Sequence, residues 1–196
     1  MPDAMPSRIV LVGNARSLLT RDGLGNTIDA FPIVIRFNNF VTAGYEGHVG
    51  SKTDWWARNE TDEVERRPGP FEKIILRLQG EQEATYSAGE ALLPQLRLQH
   101  PGTPIDIIPR RIFTDLIEAY HFRNAPLTGT LVIAHLLREY ERVCICGFDN
   151  LVGTPETLRH YYSEGNVIGD WTTFHEPDKE AVYLTELIRQ GRVVPI

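Results

Sequence analysis

Residues 8–40 read RIVLVGNARSLLTRDGLGNTIDAFPIVIRFNNF. Arg8–Gly13 is a short apolar run ending in glycine, and Pro32–Phe37 (PIVIRF) is a second. Runs this short and this apolar read as strands buried on both faces. Ser17–Leu19, between them, reads as the start of a helix. The same alternation continues along the chain. Glu72–Leu78, Thr103–Pro109 and Arg142–Phe148 (RVCICGF) read as further strands, with Lys52–Ala57 and Arg192–Pro195 as weaker ones. Helical periodicity fills the gaps. Thr130, Ile133, Ala134 and Leu137 follow i, i+3, i+4, i+7 within Thr130–Tyr140. Ala181, Leu184, Leu187 and Ile188 form one stripe in Pro177–Gln190, with Pro177 suited to the first turn and Gly191 to the stop. Ile112–His121 reads as another helix, and so does Thr85–Gln99, interrupted or ended by Pro94. Strands alternating with helices predict an α/β fold, a mostly parallel sheet with helices on both faces. Thr42–Gly50, Asn59–Pro70 and Asn150–Thr173 are the least regular stretches, and loops of this kind carry sites near strand carboxyl ends.

A length of 196 residues fits a single domain over 1–196. Hydrophobic residues make up 42% and charged residues 23%, enough for a full core and against disorder. The net charge of -6 argues against a nucleic-acid partner. Cys144 and Cys146 are too close to staple distant segments and too few for a zinc cage, which fits a reducing compartment. They point the same way along one strand and read as core thiols. Trp55 and Trp56 should point to opposite faces. No apolar run approaches the ~20 residues that span a bilayer, and MPDAMPSR lacks the apolar core of a signal peptide. These features predict a cytoplasmic protein that does not span a membrane. Peripheral attachment to the inner membrane face is left open.

Four segments carry residues suited to chemistry. Gly13 and Asn14 follow the first strand. There they either hold a phosphate at a helix start or simply form a turn capped by Asn14. Asn38 and Asn39 end the second strand, as ligands for a nucleotide or as turn formers. Thr128 and Gly129 open a helix, facing an anion or base edge or serving as a cap. His160-Tyr161-Tyr162 is followed by His175, with Glu180 placed to take the His175 imidazole N–H and raise its basicity. Histidine suits proton transfer near neutrality. His48, His100 and His135 read as bland. No D-x-D clamp occurs and no metal site is expected.

In order, these segments resemble the sialyltransferases, glycosyltransferase family 29. VLVGNARSLL, IDAFPIVIRFNNF and GYEGHVGSKT resemble the family's large motif, and PLTGTLVIAHLLREYERVCICGF its small motif. HYY resembles the third motif, and the His175-x4-Glu180 spacing the last. The resemblance covers residues 10–180. It implies a Rossmann-like domain of GT-A type and an inverting, metal-independent transfer. The donor would be a sialic-acid-type sugar activated by cytidine monophosphate (CMP). The acceptor would be a glycan, with a lipid-linked one left open, and no cofactor would be needed. By this resemblance Asn14 and Asn38, beside Gly13, hold the donor's phosphate and nucleotide, and Thr128 and Gly129 contact the cytidine. His160 would assist the leaving phosphate. His175 would be the general base, with Glu180 beside it. Ala15, Leu127 and Ser163 depart from the family pattern, and its cysteine bridge cannot form. This looks like a minimal, bacterial-type version. Two alternatives remain: CMP-activated 3-deoxy-octulosonate as donor, or a non-catalytic nucleotide-binding module. Retention of both His160 and His175 in separate loops favours an enzyme.

Overall fold

The computed structural model of the chain describes residues 8–61, 65–80, 82–149, 160–162 and 175–196. Seven strands form one sheet: β1 (Ile9–Val12), β2 (Ile33–Phe37), β3 (Trp55–Asn59), β4 (Lys73–Arg77), β5 (Ile105–Ile107), β6 (Val143–Cys146) and β7 (Val193–Pro195). Their order is β5-β4-β3-β2-β1-β6-β7, and every neighbouring pair is parallel. Parallel neighbours need crossovers. The helices in the connections are α1 (Leu24–Asp29), α2 (Glu46–Val49), α3 (Glu83–Gly89), α4 (Leu93–Gln99), α5 (Arg110–Tyr120), α6 (Thr128–Leu136) and α7 (Pro177–Arg189).

Side chains leave a strand on alternate faces, which builds two cores from one sheet. Ile9, Leu11, Ile35, Trp55, Ala57 and Ile145 pack against Phe113 of α5, Leu131 of α6 and Leu184 of α7. On the other face Val10, Val12, Val34, Cys144 and Cys146 meet Leu24 and Ile28 of α1 and Val49 of α2. Trp56, Ile74 and Leu76 extend that face against Leu96 of α4. The adjacent tryptophans therefore separate as the strand period requires. The predicted α/β class, with a parallel sheet covered on both faces, is the observed one. Cys144 and Cys146 are buried and unbridged. Burial pushes the Cys144 thiol up to about 11 and the Cys146 thiol up to about 12. The thiolate is the reactive form, so iodoacetamide at pH 7.5 should label neither cysteine in the folded protein and both in urea. Rapid labelling of the folded protein, read by mass spectrometry, would contradict this packing.

Several boundaries differ from expectation. β3 starts at Trp55 rather than Lys52, because the Lys52 ammonium donates to the Pro32 carbonyl (2.8 Å) and the Asp54 carboxylate accepts the Val34 N–H (2.7 Å). The helix expected over 85–99 is two helices with a 3-10 turn (Glu90–Leu92) between them, and Pro94 lies in the first turn of α4. Ser17–Leu19 falls in a 3-10 turn, Arg16–Thr20, rather than an α-helix. α1 and α2 are too short to show a helical period.

The chain lays down β1 to β5 outward in one direction, then returns to the opposite side of β1 for β6 and β7. The strand order reverses between β1 and β6. In an open α/β sheet a ligand crevice forms at the strand carboxyl ends where the order reverses. Residues 13–15 and 147–149 stand at that place.

Candidate active site

Two loops lace together at the reversal. The Gly13 N–H donates to Cys146 (2.9 Å), and the Ala15 N–H to Gly147 (3.2 Å). A Cβ on Gly13 would collide with the Gly147 carbonyl. Asp149 accepts the Ser17 N–H (3.0 Å) and the Ser17 hydroxyl, which fixes the turn after β1. Phe148 stands edge-on to Phe37, 5.7 Å between centroids. A Cβ on Gly129 would lie 2.7 Å from the Phe148 ring, so α6 starts directly on this aromatic. The loops after β1 and β6 and the start of α6 thus converge. The absent side chains of Gly13 and Gly129 are accounted for by this packing, independently of any ligand.

Asn14 does not cap a helix. Its Nδ2 donates to the Phe37 carbonyl (3.2 Å), while its Oδ1 is buried with no partner among the described residues. A buried acceptor left open in this way suits a ligand donor. Asn38 has φ 45° and accepts the Asn59 N–H on Oδ1 (3.1 Å). Its carbonyl accepts from Trp56 Nε1 (3.0 Å) and Arg67 Nε (3.1 Å). Asn38 is therefore a turn former that ties β2 to β3, and its Nδ2 remains as a donor. Arg36, beside it, is fully buried and donates to Lys52 (2.9 Å), Thr53 (3.1 Å) and Val49 (2.7 Å). That satisfies a buried guanidinium within the fold.

His160 pairs antiparallel with Ala15, and the Tyr161 N–H donates to the Asn14 carbonyl (3.0 Å). The third segment is thus joined to the first. Burial pulls the His160 pKa down, and its ring lies 5.1 Å from that of Tyr162. The buried Tyr161 hydroxyl donates to the Val41 carbonyl and accepts the Val41 N–H (3.2 Å). The segments 150–159 and 163–174, which include Ser163 and most of the Asn150–Thr173 stretch, lie outside the described residues.

α6 begins at Thr128 with no side-chain cap. Its unmatched first turn is tied to α7 instead. Glu180, fully buried, accepts the Leu127 N–H (2.9 Å) and the Thr130 hydroxyl. The expected link from Glu180 to the His175 ring is replaced by these bonds. Glu180 belongs to the inward stripe of α7 with Tyr183, Leu184 and Leu187, whereas His175 precedes the helix. Glu176 holds that approach by accepting the Asn124 N–H (3.0 Å) and the Arg123 N–H. The His175 Nδ1 lies 2.7 Å from the Ala125 carbonyl. A carbonyl only accepts, so Nδ1 carries the proton, and in the neutral ring Nε2 is the basic nitrogen. Burial lowers the His175 pKa; the Ala125 bond opposes this and the Arg77 charge reinforces it. Arg77, buried at the end of β4 and 3.6 Å from Glu60, was not legible as a site residue in the sequence; nor were Phe148 and Asp149.

Burial pushes the Glu180 carboxyl up to about 7, against the opposing pull of Thr130, Leu127 and Arg77. Folded protein then keeps a proton that the unfolded chain releases near 4.5. Stability from this group falls as pH rises from about 4.5 to about 7, by about 3 kcal/mol. The half-buried His160 and His175 act oppositely, since unfolding lets them take up protons below about 6.5. Glu180→Gln keeps an acceptor for the Leu127 N–H, and its amide donates to the Thr130 hydroxyl oxygen where the carboxyl accepted from it. Denaturant melts should show Glu180→Gln gaining on the wild type between pH 5 and pH 8. An unchanged difference would contradict the buried, proton-holding carboxyl.

Among the described residues no group of three or more His, Cys, Asp or Glu side chains could hold a metal ion. No helix there is long and apolar enough to cross a membrane.

Residues 5–65 match the family model described as Glycosyltransferase family 29 (sialyltransferase). A mouse CMP-N-acetylneuraminate-beta-1,4-galactoside alpha-2,3-sialyltransferase is 26% identical over 95% of this chain and 56% of its own length. A chimpanzee CMP-N-acetylneuraminate-beta-galactosamide-alpha-2,3-sialyltransferase 4 is 26% identical over 95% of this chain and 64% of its own. The chain thus spans less than two thirds of the length of either relative. A mammalian sialyltransferase crystal structure in complex with Gal-beta-1-3GalNAc-ortho-nitrophenol shares the fold, with a TM-score of 0.70 at 21% identity over 96% of this chain and 68% of that one. The chain is thus similar to members of glycosyltransferase family 29 in sequence, and it shares the fold of a solved sialyltransferase.

Proposed function

We propose that this chain is a sialyltransferase that moves a sialic acid from a CMP-activated donor to a glycan hydroxyl in one inverting step without a metal. The observation that carries this reading is a pair of half-buried histidines on separate segments, His160 beside Asn14 and His175 beside the start of α6. The Rossmann-like, GT-A reading rests on the reversal of strand order at β1. The sialic acid donor, rather than an octulosonate, is favoured by the matched relatives, which are named for CMP-N-acetylneuraminate.

The residues divide the work as follows. The buried Asn14 Oδ1 accepts from a nucleoside hydroxyl or amino group, and Asn38 Nδ2 donates. Thr128 and Gly129 present the first N–H groups of α6 to the nucleotide. His160, neutral when the site is empty, gains a proton as the phosphate arrives, because a nearby anion favours the charged ring. His175 Nε2 takes the acceptor hydroxyl proton while that oxygen attacks the donor's anomeric carbon. The anomeric carbon–oxygen bond to phosphate breaks, and CMP leaves with the electron pair. His160 then stabilises the departing phosphate. One displacement inverts the anomeric centre and needs no protein nucleophile.

Ligand that binds only the folded state raises its melting temperature. CMP should do so well beyond adenosine monophosphate, and transfer should persist in excess chelator. Equal shifts with both nucleotides, or activity lost to chelator and restored by a divalent ion, would overturn the reading.

A further inference from the structure

Arg77 ends β4 and is buried. Side chains alternate along a strand, so Arg77 leaves the sheet on the face of Ile75, the face that α5, α6 and α7 cover. A guanidinium buried there needs hydrogen bonds or a counter-charge. Among the described residues its Nε has no hydrogen-bond partner. Its counter-charge is one oxygen of Glu60, 3.6 Å away, just past the end of β3. The other Glu60 oxygen accepts the Gln79 N–H (2.9 Å), which fixes the carboxylate beside the end of β4. A buried pair with so few hydrogen bonds adds little stability, and buried charges of this kind cluster at functional sites.

Two ionisable groups converge on the start of α6, on the same face. The Ala125 carbonyl holds His175 Nδ1, and Glu180 accepts the Leu127 N–H and the Thr130 hydroxyl. The Arg77 charge acts on both. The other charged groups of the neighbouring segments are turned elsewhere. Glu176 pairs with Lys179 (2.8 Å), Asp178 and Arg123 are exposed, and burial lets the Glu180 carboxyl keep its proton up to about pH 7. Arg77 is thus the charge that the His175 ring meets among the described residues. A positive charge beside an imidazole disfavours its protonated form.

We propose that Arg77, steadied by Glu60, is a positioning residue for His175, its buried charge keeping Nε2 unprotonated and ready for the acceptor hydroxyl. The hydroxyl rests on the sialyltransferase reading; the effect of Arg77 on the ring does not.

Histidine-ring NMR titration reads His175 directly, its signal identified by loss in His175→Asn. Arg77→Met replaces the charge by an apolar chain, Arg77→Lys keeps the charge, and Glu60→Gln keeps an acceptor for Gln79 but removes the counter-charge. The His175 midpoint should rise by about one pH unit in Arg77→Met, fall in Glu60→Gln and stay at the wild-type value in Arg77→Lys. The acid limb of kcat/KM should move with the midpoint, lowering activity on that limb by about 10-fold in Arg77→Met. An unmoved midpoint in Arg77→Met, or an equal rise in Arg77→Lys, would overturn the proposal. If Arg77→Met does not fold, Glu60→Gln decides, and a midpoint that fails to fall overturns it. Midpoints that move as expected in a protein that transfers no sialic acid would instead overturn the sialyltransferase reading and uphold the action of Arg77 on the ring.

Discussion

His175→Ala is expected to lower turnover by about 10²–10⁴-fold, the usual contribution of a general base. CMP affinity should stay within about twofold of wild type. The argument is geometric. The Ala125 carbonyl fixes the proton on Nδ1, so Nε2 is the basic nitrogen, and burial keeps the ring neutral. A lowered pKa means the base form persists to lower pH than for an ordinary histidine. The acid limb of kcat/KM should therefore fall below 6.5. His160→Ala should behave differently, weakening CMP binding and slowing turnover together. Steady-state kinetics with parallel calorimetry distinguishes the two. Near-wild-type turnover in His175→Ala would remove it from the base role.

Gly13→Ala is expected to damage the fold more than any other single methyl addition at the crevice. The new Cβ would overlap a backbone carbonyl, Gly147, which cannot rotate away as a side chain could. The loss should exceed the about 1–3 kcal/mol of ordinary overpacking. The β1 and β6 loops would have to part, and with them the bonds from Gly13 to Cys146 and from Ala15 to Gly147. Gly47→Ala in α2 is the matched control, because nothing lies within 4 Å of its Cβ position. There the change should be neutral or stabilising by up to about 1 kcal/mol. Equal denaturant midpoints for the two variants would show that the loops are not laced as described.

The parts of the fold legible in the sequence are those where one physical rule dominates. β1 and β6 are buried along their whole length, so they read as unbroken apolar runs. The separation of Trp55 from Trp56 follows from the two-residue period alone. α1 and α2 were invisible because six and four residues cannot display a helical period. The site was legible as residue types in order but not as partnerships. Glu180 and His175 are close in sequence, yet α7 turns Glu180 inward to Leu127 and Thr130 while His175 bonds to Ala125. Arg36, Arg67 and Arg77 look alike in the chain. Only packing between distant segments makes the first a loop anchor, the second a tie to the Asn38 carbonyl and the third a charge near both His175 and Glu180.

The central claim is transfer from a CMP-activated sialic acid, and mass spectrometry of the acceptor tests it most directly. Folded protein would be incubated with CMP-N-acetylneuraminate and a panel of β-galactoside glycans, with and without chelator. The account predicts a product heavier by one N-acetylneuraminate residue, one CMP released per transfer, and loss of both in His175→Ala. A folded wild-type protein that releases no CMP and modifies no glycan in the panel would contradict it.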